Sequence, residues 1–243
     1  MGHVTRLLSR ALDILYPEDC LLCGAALPLF PHPGTAPVCE NCRKDLRPLS
    51  GRRCEVCGVP LISEDRLCTR CRIQPYAFSR HRSLFAYSGA IRELIRLFKF
   101  KGKRRLGRLF ADYFFDVRRE FGFSVAEPVY LVPVPSRARR TRARGFDHVK
   151  LIATLLAAQR GCRFCDCLTR TGGSPQKSLS FVERQKNVRD AYSPRSSVTR
   201  VAGAQCILVD DIFTTGGTAD ACAAVLIAHD AAGVSVVTLA MEP

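Results

Sequence analysis

Eight of the 13 cysteines fall in four C-x-x-C pairs: Cys20/Cys23, Cys39/Cys42, Cys54/Cys57 and Cys68/Cys71. All four lie within about fifty residues, a density that reads as metal ligation and not as an isolated redox motif. Each C-x-x-C knuckle sets two thiolates on one side of a tight turn, and two knuckles complete a tetrahedral sulfur shell. Gly24 and Gly58 follow the second cysteine of two pairs, where such a turn calls for positive φ. The expectation is two zinc ions, both structural, because four sulfur ligands leave no position for a catalytic water. Consecutive pairing of the knuckles and a cross-braced pairing of the first with the third are both compatible with the spacing. Residues 18–75 hold few large apolar side chains, so metal binding would supply their missing folding free energy.

Residues 4–16 place Val4, Leu7, Leu8, Leu12 and Leu15 at helical spacing, so an amphipathic helix is expected before the first knuckle. The composition changes after Gln74-Pro75, which sets an expected boundary between an N-terminal module, 1–77, and a second domain, 78–243, with separate cores. In the second domain, strands are expected at Ser83–Ser88, Val129–Val134, Arg163–Thr169, Cys206–Val209 and Val234–Leu239. Helices are expected at Gly89–Phe100, from Leu106 through Val117, at Phe146–Arg160 and at Thr218–Ala231, with Arg170–Tyr192 as a polar loop. Strands alternating with helices indicate an α/β fold with a mainly parallel sheet covered on both faces. Chemistry in such folds sits beyond the carboxyl ends of the strands.

The charge narrows the partners. Of a net +15, residues 81–160 contribute +12, from 18 Lys/Arg against 6 Asp/Glu. Such a surplus points to a polyanion, either nucleic acid or a phosphorylated small molecule, unless it is only a solvated basic face. No apolar run approaches the roughly 18 residues of a membrane span, and Arg6, Arg10 and Asp13 break any signal-peptide core. A cytoplasmic protein without membrane insertion is expected, and a reducing compartment favours metal over disulfides.

The stretch Cys206–Asp220, CILVDDIFTTGGTAD, carries the clearest chemistry. An apolar strand runs into Asp210 and Asp211, then into the turn Thr214-Thr215-Gly216-Gly217-Thr218 at a helix start. Backbone N–H groups of such a turn cradle phosphate at a helix N-terminus, and glycine permits close approach. Neither a Walker loop nor a G-x-G-x-x-G occurs, which removes those NTPase and dinucleotide readings.

This stretch resembles the phosphoribosyl pyrophosphate (PRPP) motif of type I phosphoribosyltransferases. Leu131–His148, LVPVPSRARRTRARGFDH, resembles the V-P-V-P … R-G-F-N-Q segment of the ComF family. Gln176, Leu179, Arg184 and Asn187 resemble that family's Q-x-x-L … R-x-x-N stretch, and Leu15–Cys20, LYPEDC, resembles its entry to the first knuckle. These matches span essentially the whole chain. Asp147 and His148 depart from the pattern, standing where the family has Asn and Gln.

The resemblance implies a zinc-ribbon-like module joined to a type I phosphoribosyltransferase fold. It implies that Asp210 and Asp211 hold the ribose hydroxyls and that Thr214–Thr218 hold the 5′-phosphate. Pro135, Ser136 and Arg137 would receive the pyrophosphate, with Arg144, Gln176, Arg184 and Asn187 as further contacts and Mg²⁺ arriving with PRPP. The implied reaction displaces pyrophosphate from ribose C1. No general base is evident: His148 is the best-placed titratable group, yet reads first as a surface histidine at a helix start. The resemblance also implies a role in natural competence, with competence-machinery proteins as partners. Lys99, Lys101, Lys103, Arg104, Arg105, Arg139, Arg140 and Arg142 are the expected contacts to single-stranded DNA. The alternative is a non-catalytic DNA-handling protein that uses the fold as a PRPP sensor or scaffold. Cys162, Cys165, Cys167, Cys206 and Cys222 read as buried free thiols.

Overall fold

A computed structural model of the chain describes residues 19–27, 37–114, 116–124, 126–159, 161–171 and 191–242. The helix expected over 4–16, most of the Leu15–Cys20 motif, and Gln176, Leu179, Arg184 and Asn187 lie outside them. In chain order the described elements begin with α1 (Glu40–Lys44) and α2 (Thr69–Ile73), followed by β1 (Arg80–Ala86), α3 (Gly89–Phe100), α4 (Leu106–Tyr113) and α5 (Val117–Phe121). Then come β2 (Val129–Pro133), α6 (Ala138–Arg144), α7 (His148–Gln159), β3 (Arg163–Phe164), β4 (Leu168–Arg170) and β5 (Tyr192–Pro194). A 3₁₀ turn (Ser196–Val201), β6 (Gln205–Phe213), α8 (Gly217–Ile227) and β7 (Gly233–Met241) complete the order.

Five strands form a sheet in the order β1-β7-β6-β2-β3, every pair parallel, while β4 and β5 make a separate antiparallel ribbon. Successive residues of a strand face opposite sides, and here both sides are covered. Val129, Leu131, Ile207, Val209, Val237 and Leu239 pack with the apolar stripes of α3, α4 and α7. Tyr130, Val132, Cys206, Leu208, Val234 and Val236 pack with α8 and the β4–β5 ribbon. The near-continuous apolar character of β2, β6 and β7 follows from that double burial. Helix α3 buries the expected stripe of Ile91, Leu94, Ile95 and Phe98.

Several expected boundaries move. β1 starts three residues before Ser83, at Arg80. The helix from Leu106 stops at Tyr113, and Val117 opens α5, whose first amides, Arg118 and Arg119, donate to the Asp116 carboxylate. The strand expected at Arg163–Thr169 divides between β3 in the main sheet and β4 in the ribbon. The arginine-rich segment after β2 is not all loop, since α6 occupies Ala138–Arg144 and α7 begins only at His148. Helix α8 closes at Ile227, short of Ala231, and β6 runs on through both acids to Phe213.

The two cores expected to be separate are shared. Cys20, Leu27, Val38 and Leu46 join the α3/α4/α7 side of the sheet, whereas Cys54 and Cys57 join the α8 side. Residues 49–56 run along β1: Leu49 N–H donates to Leu84 O at 2.6 Å and Arg53 Nη1 to Ser83 O at 3.3 Å.

Candidate functional site

The cysteines gather into two sets, Cys20, Cys23, Cys39 and Cys42, and Cys54, Cys57, Cys68 and Cys71. Within each set the sulfurs lie within 4.8 Å of one another, so the pairing is consecutive and not cross-braced. The two units share one plan. Gly24 and Gly58 take φ of +71° and +70° and return their N–H groups to Cys20 O and Cys54 O. Cys39 and Cys68 each stand at a helix N-cap and donate their N–H to the first sulfur of their set, Cys20 at 3.3 Å and Cys54 at 3.4 Å. Burial opposes ionisation of Cys20 and Cys54, yet these amides and their neighbours outweigh it and bring the thiols down to about 6 and about 7. Four convergent sulfurs, some held toward thiolate, suit a structural Zn²⁺ at each site.

The acid pair lies inside β6, and strand alternation sends its two carboxyls to opposite faces of the sheet. Asp211 faces the α3/α7 side. Its Oδ2 accepts from Lys99 Nζ at 2.8 Å and from His148 Nε2. Arg144 Nη1 donates to His148 Nδ1 at 2.7 Å, and since a guanidinium can only donate, the imidazole proton sits on Nε2. Burial alone would raise Asp211, but the His148 hydrogen bond and the Lys99 ammonium hold it down at about 2. Asp210 fares otherwise: burial and the neighbouring Asp211 charge push it up to about 8, although it accepts the Asp211 N–H at 2.8 Å. One strand thus presents two adjacent carboxyls shifted in opposite directions, Asp211 down and Asp210 up.

After Phe213 the chain enters the Thr/Gly turn. Thr214 and Thr215 are exposed, Gly217 and Thr218 half-buried, and Gly216 is the N-cap of α8 with φ of +82°. A Cβ at 216 would stand 2.8 Å from the Phe213 ring and 2.9 Å from that of Tyr76, so glycine is required twice over. No side chain caps α8, which leaves its first amides for an incoming acceptor.

His148 is buried, with 2% of its surface exposed, and is no surface histidine. Lys99, expected among the DNA contacts, is committed to Asp211. Pro135 is buried, Ser136 and Arg137 are half-buried, and Arg144 also lies over the Phe100 ring at 5.6 Å. Lys101, Lys103, Arg104, Arg105, Arg139, Arg140 and Arg142 all have exposed side chains. Cys165, Cys167, Cys206 and Cys222 are buried as expected, and Cys162 is half-buried. Three residues had gone unassigned. Asp147 caps α7, accepting from Val149 N–H at 3.0 Å and Lys150 N–H at 3.1 Å, a signal available in its place just before an apolar helix. Tyr76 and Asp220 touch each other's segments across the turn, and nothing local in the sequence announces that.

Residues 11–72 match the model of the double zinc ribbon domain. The chain is 30% identical over 226 residues to the DNA utilization protein YhgH of Escherichia coli strain K12, covering 90% of this chain and 95% of that protein. It is 27% identical over 219 residues to the competence protein ComFC of Bacillus subtilis strain 168, covering 82% and 84%. Among solved structures it is similar to adenine phosphoribosyltransferase from Saccharomyces cerevisiae, at 19% identity, 60% and 72% coverage and a TM-score of 0.36. With the paired zinc ribbons, the parallel sheet and relatives matched along nearly their full length, the chain belongs to the ComF family of competence and DNA utilization proteins.

Proposed function

We propose that this protein binds PRPP at the carboxyl end of β6 and acts in the handling of incoming DNA, transferring phosphoribose with release of pyrophosphate. The observation that carries the reading is the sequence of parts along one strand and helix. An acid pair is followed at once by a glycine-bearing turn whose helix amides lack a side-chain cap. Ribose hydroxyls would meet the acids, the 5′-phosphate the amides of 214–218, and the diphosphate the Pro135–Arg137 segment with Arg144 behind it. The acid pair is a poor cage for a bare Mg²⁺, because Asp211 Oδ2 already takes two protein donors and strand alternation turns the Asp210 carboxyl to the other face. A metal carried in on the diphosphate, which brings its own oxygen ligands, fits these residues better. There the ion would offset charge building on the departing diphosphate.

The names of the relatives support the DNA side of this reading, as does the exposure of Lys101, Lys103, Arg104, Arg105, Arg139, Arg140 and Arg142. The same arrangement would serve a PRPP sensor that performs no transfer. Calorimetric titration with PRPP and Mg²⁺ tests the site, with saturable binding expected. The double variant Asp210→Asn, Asp211→Asn should remove it while leaving the circular dichroism spectrum unchanged, and undiminished binding by that variant would place PRPP elsewhere. Pyrophosphate release on adding candidate acceptors separates transferase from sensor.

A further inference from the structure

We propose that Tyr76, backed by the second zinc knuckle, is a positioning residue for the phosphate turn. The inference rests on the reading of Thr214–Thr218 as a phosphate site. The Tyr76 O–H donates to Thr215 O at 2.9 Å. A trans peptide points its C=O and the following N–H in opposite directions. Anchoring the Thr215 carbonyl toward Tyr76 therefore aims the Gly216 N–H away from Tyr76, and it is this N–H that the proposal gives to a phosphate oxygen.

Tyr76 is itself held. Its ring stacks on Phe78 with centroids 4.6 Å apart, Phe78 meets Phe213 edge-on at 6.2 Å, and Phe213 stacks on His81 at 3.8 Å. His81 Nδ1–H donates to Cys57 O at 2.7 Å, and its backbone N–H to Val56 O at 2.6 Å. Its Nε2 lies 2.9 Å from the Thr238 hydroxyl, so both ring nitrogens are engaged. The neighbouring Ala77 N–H donates to Asp220 Oδ1 at 2.6 Å in the first turn of α8. A knuckle cysteine, a buried histidine and three aromatic rings thus stand in unbroken contact behind the turn, and that wall gives Tyr76 a fixed place from which to orient one peptide.

The test uses the full-length zinc-loaded chain and two readouts. Ribose 5-phosphate is the probe for affinity, and hydrogen–deuterium exchange of residues 213–220 without ligand is the probe for turn order. Tyr76→Phe should weaken ribose 5-phosphate binding about five-fold, as expected for one neutral hydrogen bond, and Tyr76→Ala more strongly. Both should speed exchange at 215–218, with zinc content and circular dichroism unchanged. Chelating zinc should speed the same amides. Parental affinity and parental exchange in both Tyr76 variants would overturn the proposal, and unchanged exchange in the zinc-free protein would overturn the knuckle's share in it. A parent protein that binds no ribose 5-phosphate would instead overturn the reading of the turn, and the exchange rates would then judge Tyr76 alone.

Discussion

His148 donates its Nε2 proton to Asp211 Oδ2 while its Nδ1 accepts from Arg144, so one imidazole joins a cation on α6 to an anion on β6. Glutamine, which stands at that place in the pattern this segment resembles, can make the same two bonds, since a side-chain amide also offers a donor and an acceptor. His148→Gln should therefore cost little stability in urea denaturation. His148→Leu strands two charged groups and should cost about 2–3 kcal/mol, the range for a hydrogen bond to a buried charge. Equal losses in the two variants would mean that packing, not the donor–acceptor pair, is what position 148 supplies.

The acid pair predicts opposite pH signatures. Asp211 is lowered on folding, so its contribution is present above the unfolded pKa near 4 and is lost as pH falls toward 2. Asp210 is raised, so its contribution is full below about 4 and declines as pH rises through 8. Asp210→Asn should thus raise the melting temperature of the ligand-free protein at pH 8–9 and leave it nearly unchanged at pH 4. A parent-like melting profile at pH 9 would remove the case for a destabilised carboxyl at 210.

Gly216→Ala combines a left-handed φ with two aromatic contacts under 3 Å. The variant should lose about 1–3 kcal/mol of stability and the PRPP-induced thermal shift with it. Retention of that shift would show that the turn tolerates a rebuilt backbone.

Removing zinc should not melt the ribbons alone. Because their buried side chains belong to both layers of the sheet's core, calorimetry of the chelated protein should show one transition at lower temperature for the whole chain. Two transitions, one of them at the parental temperature, would restore the picture of independent modules.

Single-stranded DNA binding should weaken steeply with salt as phosphate contacts release counterions. Changing Lys103, Arg104 and Arg105 together to Ala should flatten that dependence without touching the PRPP shift. No slope at all in the parent would reduce the +12 segment to a solvated face.

The parts readable in advance are those whose signal is local. Cysteine spacing, the apolar runs of β2, β6 and β7, and the Thr/Gly turn each declare themselves within a dozen residues. Helix α6 does not, because ARRTRAR carries no large apolar side chain and hence no periodicity. The start of β1 is equally silent: Arg80-His81-Arg82 looks polar until His81 is buried against Cys57 O and Arg82 pairs with Glu120. Lys99 and Asp211 are 112 positions apart in the chain, and only the strand order that lays α3 and α7 over the same side of β6 makes them partners.

β1 pairs with β7 on one flank, and its other flank meets the 49–56 segment of the ribbons through Leu49 and Arg53, with Val56 O accepting from His81 N–H. The cysteine-rich segment is thus a guard on an edge strand, of the kind that otherwise recruits foreign chains. A fragment cut near residue 78 would keep every strand of the sheet yet bare that flank along its length. Self-association, beside the stability lost with the shared core, is then the failure expected of the isolated α/β half, and light scattering of such a fragment would read it directly.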